Sequence, residues 1–196
     1  MSENSDLQDR LDKSEAKNRL NNWIAISVAI ISVFMSITKV KDDNIVQAMQ
    51  QAKADAVDSW NEYQAKKIKH HMAELGLNQV QALQAMAQGR ANQVLETQRK
   101  QYVTAIARYQ PEEDELMKKA KGLEKQYDDL NYRDDQFDLS DAALSISLAM
   151  LAISALTGKR KLLYLAWVIA GFGLVMGAAG LMGLSIHPTT LIKLLS

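Results

Sequence analysis

Apolar side chains gather in three long runs along this chain, and the positions between the runs are polar with scattered apolar residues at helical spacing. The last two runs, residues 139–157 and 162–186, are parted by a basic turn at 158–161 that contains Lys159, Arg160 and Lys161. Both runs are close to or beyond the roughly 20 residues that a helix needs to cross the hydrocarbon core. Asp141, near the start of the first, is their one charged residue. The pattern predicts a transmembrane helical hairpin. The first run, residues 23–40, begins at Trp23 and ends beside Lys39 and Lys41, which suits a single span with an aromatic ring at one interface and lysines that snorkel at the other. The rival reading is a signal peptide cut after Thr38; the polar arm at 1–22 mixes Asp6, Asp9, Asp12 and Glu15 with Arg10, Lys13, Lys17 and Arg19, which favours a retained anchor over a basic leader.

Residues 41–138 are rich in Ala, Gln, Lys and Glu, with Gly76, Gly89, Pro111 and Gly122 as interruptions. They predict helices over about 42–75, 78–110 and 112–130. Asp42 or Asp43 would cap the first, Gly76 would stop it, and Asn78 would cap the second. Pro111 at a first helical position, followed by Glu112, Glu113, Asp114 and Glu115, would open the third. Val57, Trp60, Gln64, Ile68, Met72 and Leu75 share one stripe, and Val80, Leu83, Ala87, Ala91 and Val94 begin another with coiled-coil spacing. Three full reversals cannot bring this segment back to the membrane face it left. Either one helix lies along the surface, or one of Gly76 and Pro111 is a kink and not a turn. The expected fold is therefore all-α: three transmembrane helices, made of one N-terminal span and one C-terminal hairpin, around a long coiled-coil-like extramembrane segment. A short amphipathic tail at 187–196 follows.

Composition changes this picture little. The chain is 47% hydrophobic and 23% charged with zero net charge, an average that resembles a soluble domain only because polar and apolar segments cancel. Absence of cysteine removes disulfides and thiolate sites, and zero net charge supplies no basic field for nucleic acid, which is not an expected partner. Lys159, Arg160 and Lys161 form the tightest basic cluster beside any apolar run, so the positive-inside rule puts 158–161 and the N-terminus in the cytoplasm. Residues 41–138 then lie in the periplasm of a bacterium.

Four features bear on assembly. Ala-rich and Gln-rich seams bury little area, at about 25 cal/mol per Å², so a solitary copy of the polar segment would be marginal. Ala166, Ala170, Gly173, Gly177 and Gly180 form a small-residue stripe that lets helix backbones approach closely, either within the hairpin or between subunits. Ser140, Ser147 and Ser154 recur every seven residues on the preceding run. The segment 78–110 is basic and 112–138 acidic, a complementarity that favours pairing the two, within one chain or between neighbours.

Candidate chemistry is sparse. His70, His71 and Glu74 offer two metal ligands one helical turn apart, short of the three or four that zinc takes, so a solvated helix face is the better reading. Trp60, Tyr63, Gln64, Lys66 and Lys67 form an aromatic and basic patch for an anionic group or a partner helix, with a packing seam as the alternative. No phosphate loop, nucleophile elbow or carboxylate pair stands out, so neither an enzyme nor a cofactor is expected.

The run from Asp58 to Lys69, the later Ile106-Ala-Arg-Tyr109 before the acidic stretch, and the closing hairpin with Gly158-Lys-Arg-Lys-Leu-Leu-Tyr164 resemble a bacterial membrane protein family, domain of unknown function 4337. The resemblance covers about residues 21–184. It implies a bacterial inner-membrane protein with three spans and brings no activity or catalytic residues. The function expected is a structural scaffold, a homo-oligomer assembled through the helical extramembrane segment in the lipid bilayer, with another membrane protein as the alternative partner. A pore-forming or accessory subunit of a membrane transport complex is the alternative function. Spans with no charged side chain in their interiors, Asp141 standing at an entrance, argue against proton-coupled transport.

Overall fold

The computed structural model describes the backbone of residues 2–184 and the side chains from residue 14 onward. The all-α expectation holds, with three long helices among the described residues: α1 (Ser2–Gln84), α2 (Arg90–Thr157) and α3 (Arg160–Met182). Each contains a stretch long and apolar enough to cross a membrane. The polar arm at 1–22 is helical from Ser2 as the start of α1. The tail at 187–196, with His187 and Pro188, lies outside the described residues.

Between the apolar runs the boundaries differ from those expected. Asp42, Asp43, Gly76 and Asn78 all lie inside α1, and Pro111 and Gly122 inside α2, so none of them caps, starts or stops a helix. The reversal falls at residues 85–89, where Gly89 takes φ 58°. Neither Gly76 nor Pro111 is a turn, which removes the parity problem: the polar segment is a two-helix hairpin. Gly76 costs α1 about 1 kcal/mol of helix propensity relative to alanine, but the ring of Tyr102 occupies the space where its Cβ would stand. Pro111 is exposed, and the two carboxylates after it are tied to α1 by Lys66 and His70, which holds α2 through a residue that otherwise interrupts helices. The α3 helix ends at Met182, short of residue 186, because Gly183 adopts φ 67° and its N–H, with that of Leu184, bonds the Ala179 carbonyl.

The chain divides into two compact units, residues 1–47 with 130–196 (unit 1) and Ala48–Asp129 (unit 2). In unit 1, Leu20, Ile24 and Ile31 of α1 meet Leu144 and Leu151 of α2 and Leu163, Ala166 and Ala170 of α3 in one core. The outward faces are apolar too, with Ile30, Val33 and Ile37 of α1, Ile146 and Ile153 of α2, and Val168 and Val175 of α3 exposed. The serine repeat faces inward. Ser147 Oγ donates to the Ala166 carbonyl at 2.8 Å and Ser154 Oγ to the Lys159 carbonyl at 3.1 Å, joining α2 to the start of α3 and to the turn before it.

Unit 2 packs α1 on α2 through small side chains, with Ala52, Ala56, Ser59 and Ala73 of α1 and Ala120 of α2 buried. Small residues let the backbones come close while burying little apolar area. Of the larger apolar residues of α1 in this unit, Val80 is buried, whereas Ile68, Met72 and Leu75 are exposed.

Candidate functional site

The aromatic and basic patch on α1 is divided by the helix that carries it. Residues 60, 63 and 66 advance by threes and turn toward α2, whereas Gln64 and Lys67 remain exposed. Trp60 Nε1 donates to Glu124 Oε1 at 2.8 Å and its ring meets that of Tyr63 edge-on at 5.5 Å. The ammonium of Lys66 pairs with Glu112 and lies 5.7 Å from the ring centre of Tyr109. Lys67 lies 5.6 Å from the centre of the Tyr63 ring. Most of the patch is thus spent holding α1 to α2, and its open remainder is Gln64 and Lys67.

The acidic stretch after Pro111 was expected to begin a helix and instead reaches across to α1. The bond from Lys66, with Coulombic support from Arg108 and Lys69, holds the Glu112 carboxyl below the usual range. His70 Nδ1 lies 2.8 Å from Glu113 Oε1. The signal for this pairing was present as the basic face of residues 66–70 opposite four consecutive acidic residues. His71 Nδ1 lies 2.9 Å from Glu74 Oε2 on the same helix. Among the described residues no group of three His, Asp or Glu side chains is placed to hold a metal ion.

At the tip of unit 2, Gln84 Nε2 donates to Glu96 Oε2 at 3.1 Å across the turn. Arg99 Nε and Nη2 grip the same carboxyl, each at 2.9 Å. These bonds, Arg99 first and then Gln84, push the Glu96 carboxyl down to about 2.

The small-residue stripe of α3 is buried along its whole length. A Cβ on Gly173 would stand 2.8 Å from Leu144 and 3.1 Å from the Ser140 carbonyl. One on Gly177 would meet Ser140 Oγ at 2.6 Å and the Phe34 ring at 2.7 Å, and one on Gly180 the Phe137 ring at 2.9 Å. The stripe lies inside the three-helix packing of a single copy.

At the other end of unit 1 sits an aromatic cluster. The rings of Trp23 and Trp167 meet edge-on at 6.0 Å, and those of Tyr164 and Trp167 at 5.9 Å. Trp167 Nε1 donates to Ser27 Oγ at 2.9 Å. Lys159, Arg160 and Lys161 are exposed beside this cluster in sequence.

One grouping escaped the sequence reading. Asp42, taken there as a possible cap, is buried, and Lys39 Nζ donates to its Oδ2 at 2.8 Å. Burial, then hydrogen bonding to Asp42 and the nearby charge of Asp138, pushes the Asp134 carboxyl up to about 6. Asp138 is raised as well, chiefly by burial. The spacing of Asp134 and Asp138, one helical turn apart, was the available signal.

The resemblance carried by residues 58–69 and by the closing hairpin holds. A family model described as a domain of unknown function, DUF4337, matches residues 20–183, most of the chain. No curated protein and no solved structure matches it.

Proposed function

This chain belongs to the DUF4337 family, and we propose that it is a membrane-anchored scaffold whose copies assemble through the helical hairpin of unit 2. The observation that carries this reading is the inversion of side-chain size on α1. Alanines and a serine, with Val80 the one larger aliphatic among them, are buried on one side of α1, while Ile68, Met72 and Leu75 face outward from a segment too polar to sit in lipid. Contiguous apolar surface of this kind on a water-exposed segment marks a protein contact.

Unit 1 supplies the anchor. Its exposed apolar faces suit hydrocarbon, and the Trp23, Tyr164 and Trp167 cluster suits a headgroup interface. In this reading the protein is multi-pass in a bacterial inner membrane. Residues 158–161 and the N-terminus are cytoplasmic, and residues 41–138 are periplasmic. A pore lined by Ser and Gly is the weaker reading, because Ser147, Ser154, Gly173 and Gly177 are buried between the helices of one copy.

Native mass spectrometry of the protein in lipid nanodiscs is expected to give one discrete oligomer. A monomer at micromolar concentration would overturn the scaffold. Sidedness is read separately from Asp114→Cys, since the parent has no cysteine. An impermeant maleimide is expected to label that variant in intact spheroplasts, and labelling only after the membrane is opened would reverse the topology.

A further inference from the structure

We propose that Asp42 of α1 and Asp134 of α2 hold one proton between them, and that this shared proton latches the two helices beside their apolar runs and is released as the pH rises. The inference goes beyond the scaffold reading and does not depend on how copies assemble. Asp42 lies just past the run 23–40, and Asp134 and Asp138 lie just before the run 139–157, all of them in unit 1.

A buried acceptor that lacks a donor marks the place. Asp42 is 5% exposed. Lys39 Nζ donates to its Oδ2 at 2.8 Å, whereas its buried Oδ1 accepts no hydrogen bond from a permanent donor among the described residues. Buried polar atoms are nearly always paired, so this oxygen calls for a proton donor. The surrounding groups leave one candidate. Lys39 is engaged with Oδ2 and, at 3.4 Å, with Asp43. Arg133 turns to α3, where its Nη2 donates to the Gly180 carbonyl at 2.9 Å, and its buried Nε reaches no acceptor among the described residues, Asp42 included. Beyond Lys161, α3 has no charged side chain among the described residues. The Asp134 carboxyl stands within hydrogen-bonding reach of Asp42, and it becomes a donor only when it carries a proton.

The charges nearby favour keeping that proton. Asp135 and Asp138 of α2 act on Asp134, Asp141 acts on Asp138, and Asp43 flanks Asp42 on α1, with Lys39 the cation set against them. Two carboxylates that share one site do not both ionise readily, so one retains its proton. Burial first, and then the contact with Asp42, push the Asp134 carboxyl from its ordinary 3.8 up to about 6, and Asp138 is raised in the same direction. A carboxyl that holds its proton more tightly folded than unfolded contributes stability that is complete below 3.8 and is lost as the pH rises through about 6. Above that range Asp42 and Asp134 repel each other across the contact of α1 with α2, and the latch opens.

The test uses the full-length protein in lipid nanodiscs, titrated while infrared difference spectra follow the carboxylic acid C=O band. A band that disappears with a midpoint near 6 is expected in the parent and is expected to be missing in Asp134→Asn. No band that titrates above the ordinary carboxylate range, or one that persists unchanged in Asp134→Asn, overturns the proposal. Asp42→Asn replaces the neighbouring charge with an amide that donates to the Asp134 carboxylate, so the midpoint should fall by about one pH unit or more. A midpoint that stays or rises overturns the pairing. The latch itself is read from thermal melting between about pH 5 and pH 7, where the parent's midpoint is expected to fall. In Asp134→Asn the side chain keeps an N–H for Asp42 Oδ1 at every pH, so the fall should be about half as large or less; parallel curves overturn the latch. Calcium chloride at constant ionic strength decides between a proton and a metal cation. A carboxyl midpoint that drops as calcium rises from micromolar to millimolar shows a cation taken in place of the proton and overturns the assignment.

Discussion

Gly177→Leu is expected to cost unit 1 more of its stability than any other single replacement on α3. Three helices meet at this position: Phe34 of α1 and Ser140 of α2 both stand closer than 3 Å to where a Cβ would go. A leucine adds three further carbons to a space that will not admit the first. Overpacking of a closed site costs about 1–3 kcal/mol, and relief here requires the Ser140 hydroxyl and the Phe34 ring, on two different helices, to turn away together. Glycine within a helix is itself unfavourable by about 1 kcal/mol relative to alanine, so an open site would make the replacement stabilising. The sign of the effect therefore tests the contact directly. Thermal melting in detergent, followed by near-ultraviolet circular dichroism, should show a lower midpoint for Gly177→Leu and a smaller drop for Gly177→Ala. Combining Gly177→Ala with Phe34→Ala should recover part of the loss. A Gly177→Leu protein that melts with the parent shows that the helices are not packed this closely.

Gly76→Val is expected to have the second largest effect, confined to unit 2. A Cβ there would lie 2.5–2.9 Å from the tip of the Tyr102 ring, and valine adds two methyl groups beyond it. A ring edge can turn away more easily than backbone, so the cost sits nearer the lower end of about 1–3 kcal/mol. In a unit of this size each kcal/mol moves the midpoint by about 4–8 °C. The observable is the protease-resistant lifetime of the hairpin on warming, which should fall in Gly76→Val and recover when Tyr102→Ala makes room. No recovery would mean that the loss comes from helix propensity and not from the ring. Were Gly76 a helix stop, replacing it would instead disturb the chain reversal, and Tyr102 would be irrelevant to rescue.

Those two glycines also show where the sequence could be read. The apolar runs at 23–40, 139–157 and 162–186 are written in local composition, because a stretch with charge only near its ends declares its preference for an apolar environment whatever it packs against. Gly177 was visible as one of five small residues at helical spacing, although not which neighbour it faces. Gly76 and Pro111 were misread for one reason: their local tendency to interrupt a helix is overridden by partners far away in the chain. Tyr102 fills the space beside Gly76, and Lys66 and His70 hold the carboxylates that follow Pro111. The true reversal at 85–89 is masked by Ala85, Met86, Ala87 and Gln88, all good helix formers, with Gly89 the single local sign. Trp60 reads as a member of the outer stripe by spacing alone, yet its indole turns toward Glu124 because a buried or half-buried indole N–H seeks an acceptor.

The apolar exterior of unit 1 sets a thermal asymmetry within the chain. On the membrane reading, separating its helices exposes apolar surface to lipid chains and not to water, so the heat capacity hardly changes and there is no water-driven force to weaken on cooling. Close packing at Gly173 and Gly177 and the serine bonds to the Ala166 and Lys159 carbonyls carry the association at every temperature. Unit 2 unfolds into water and gains heat capacity as it does, so its grip slackens toward both cold and heat while unit 1 stays closed.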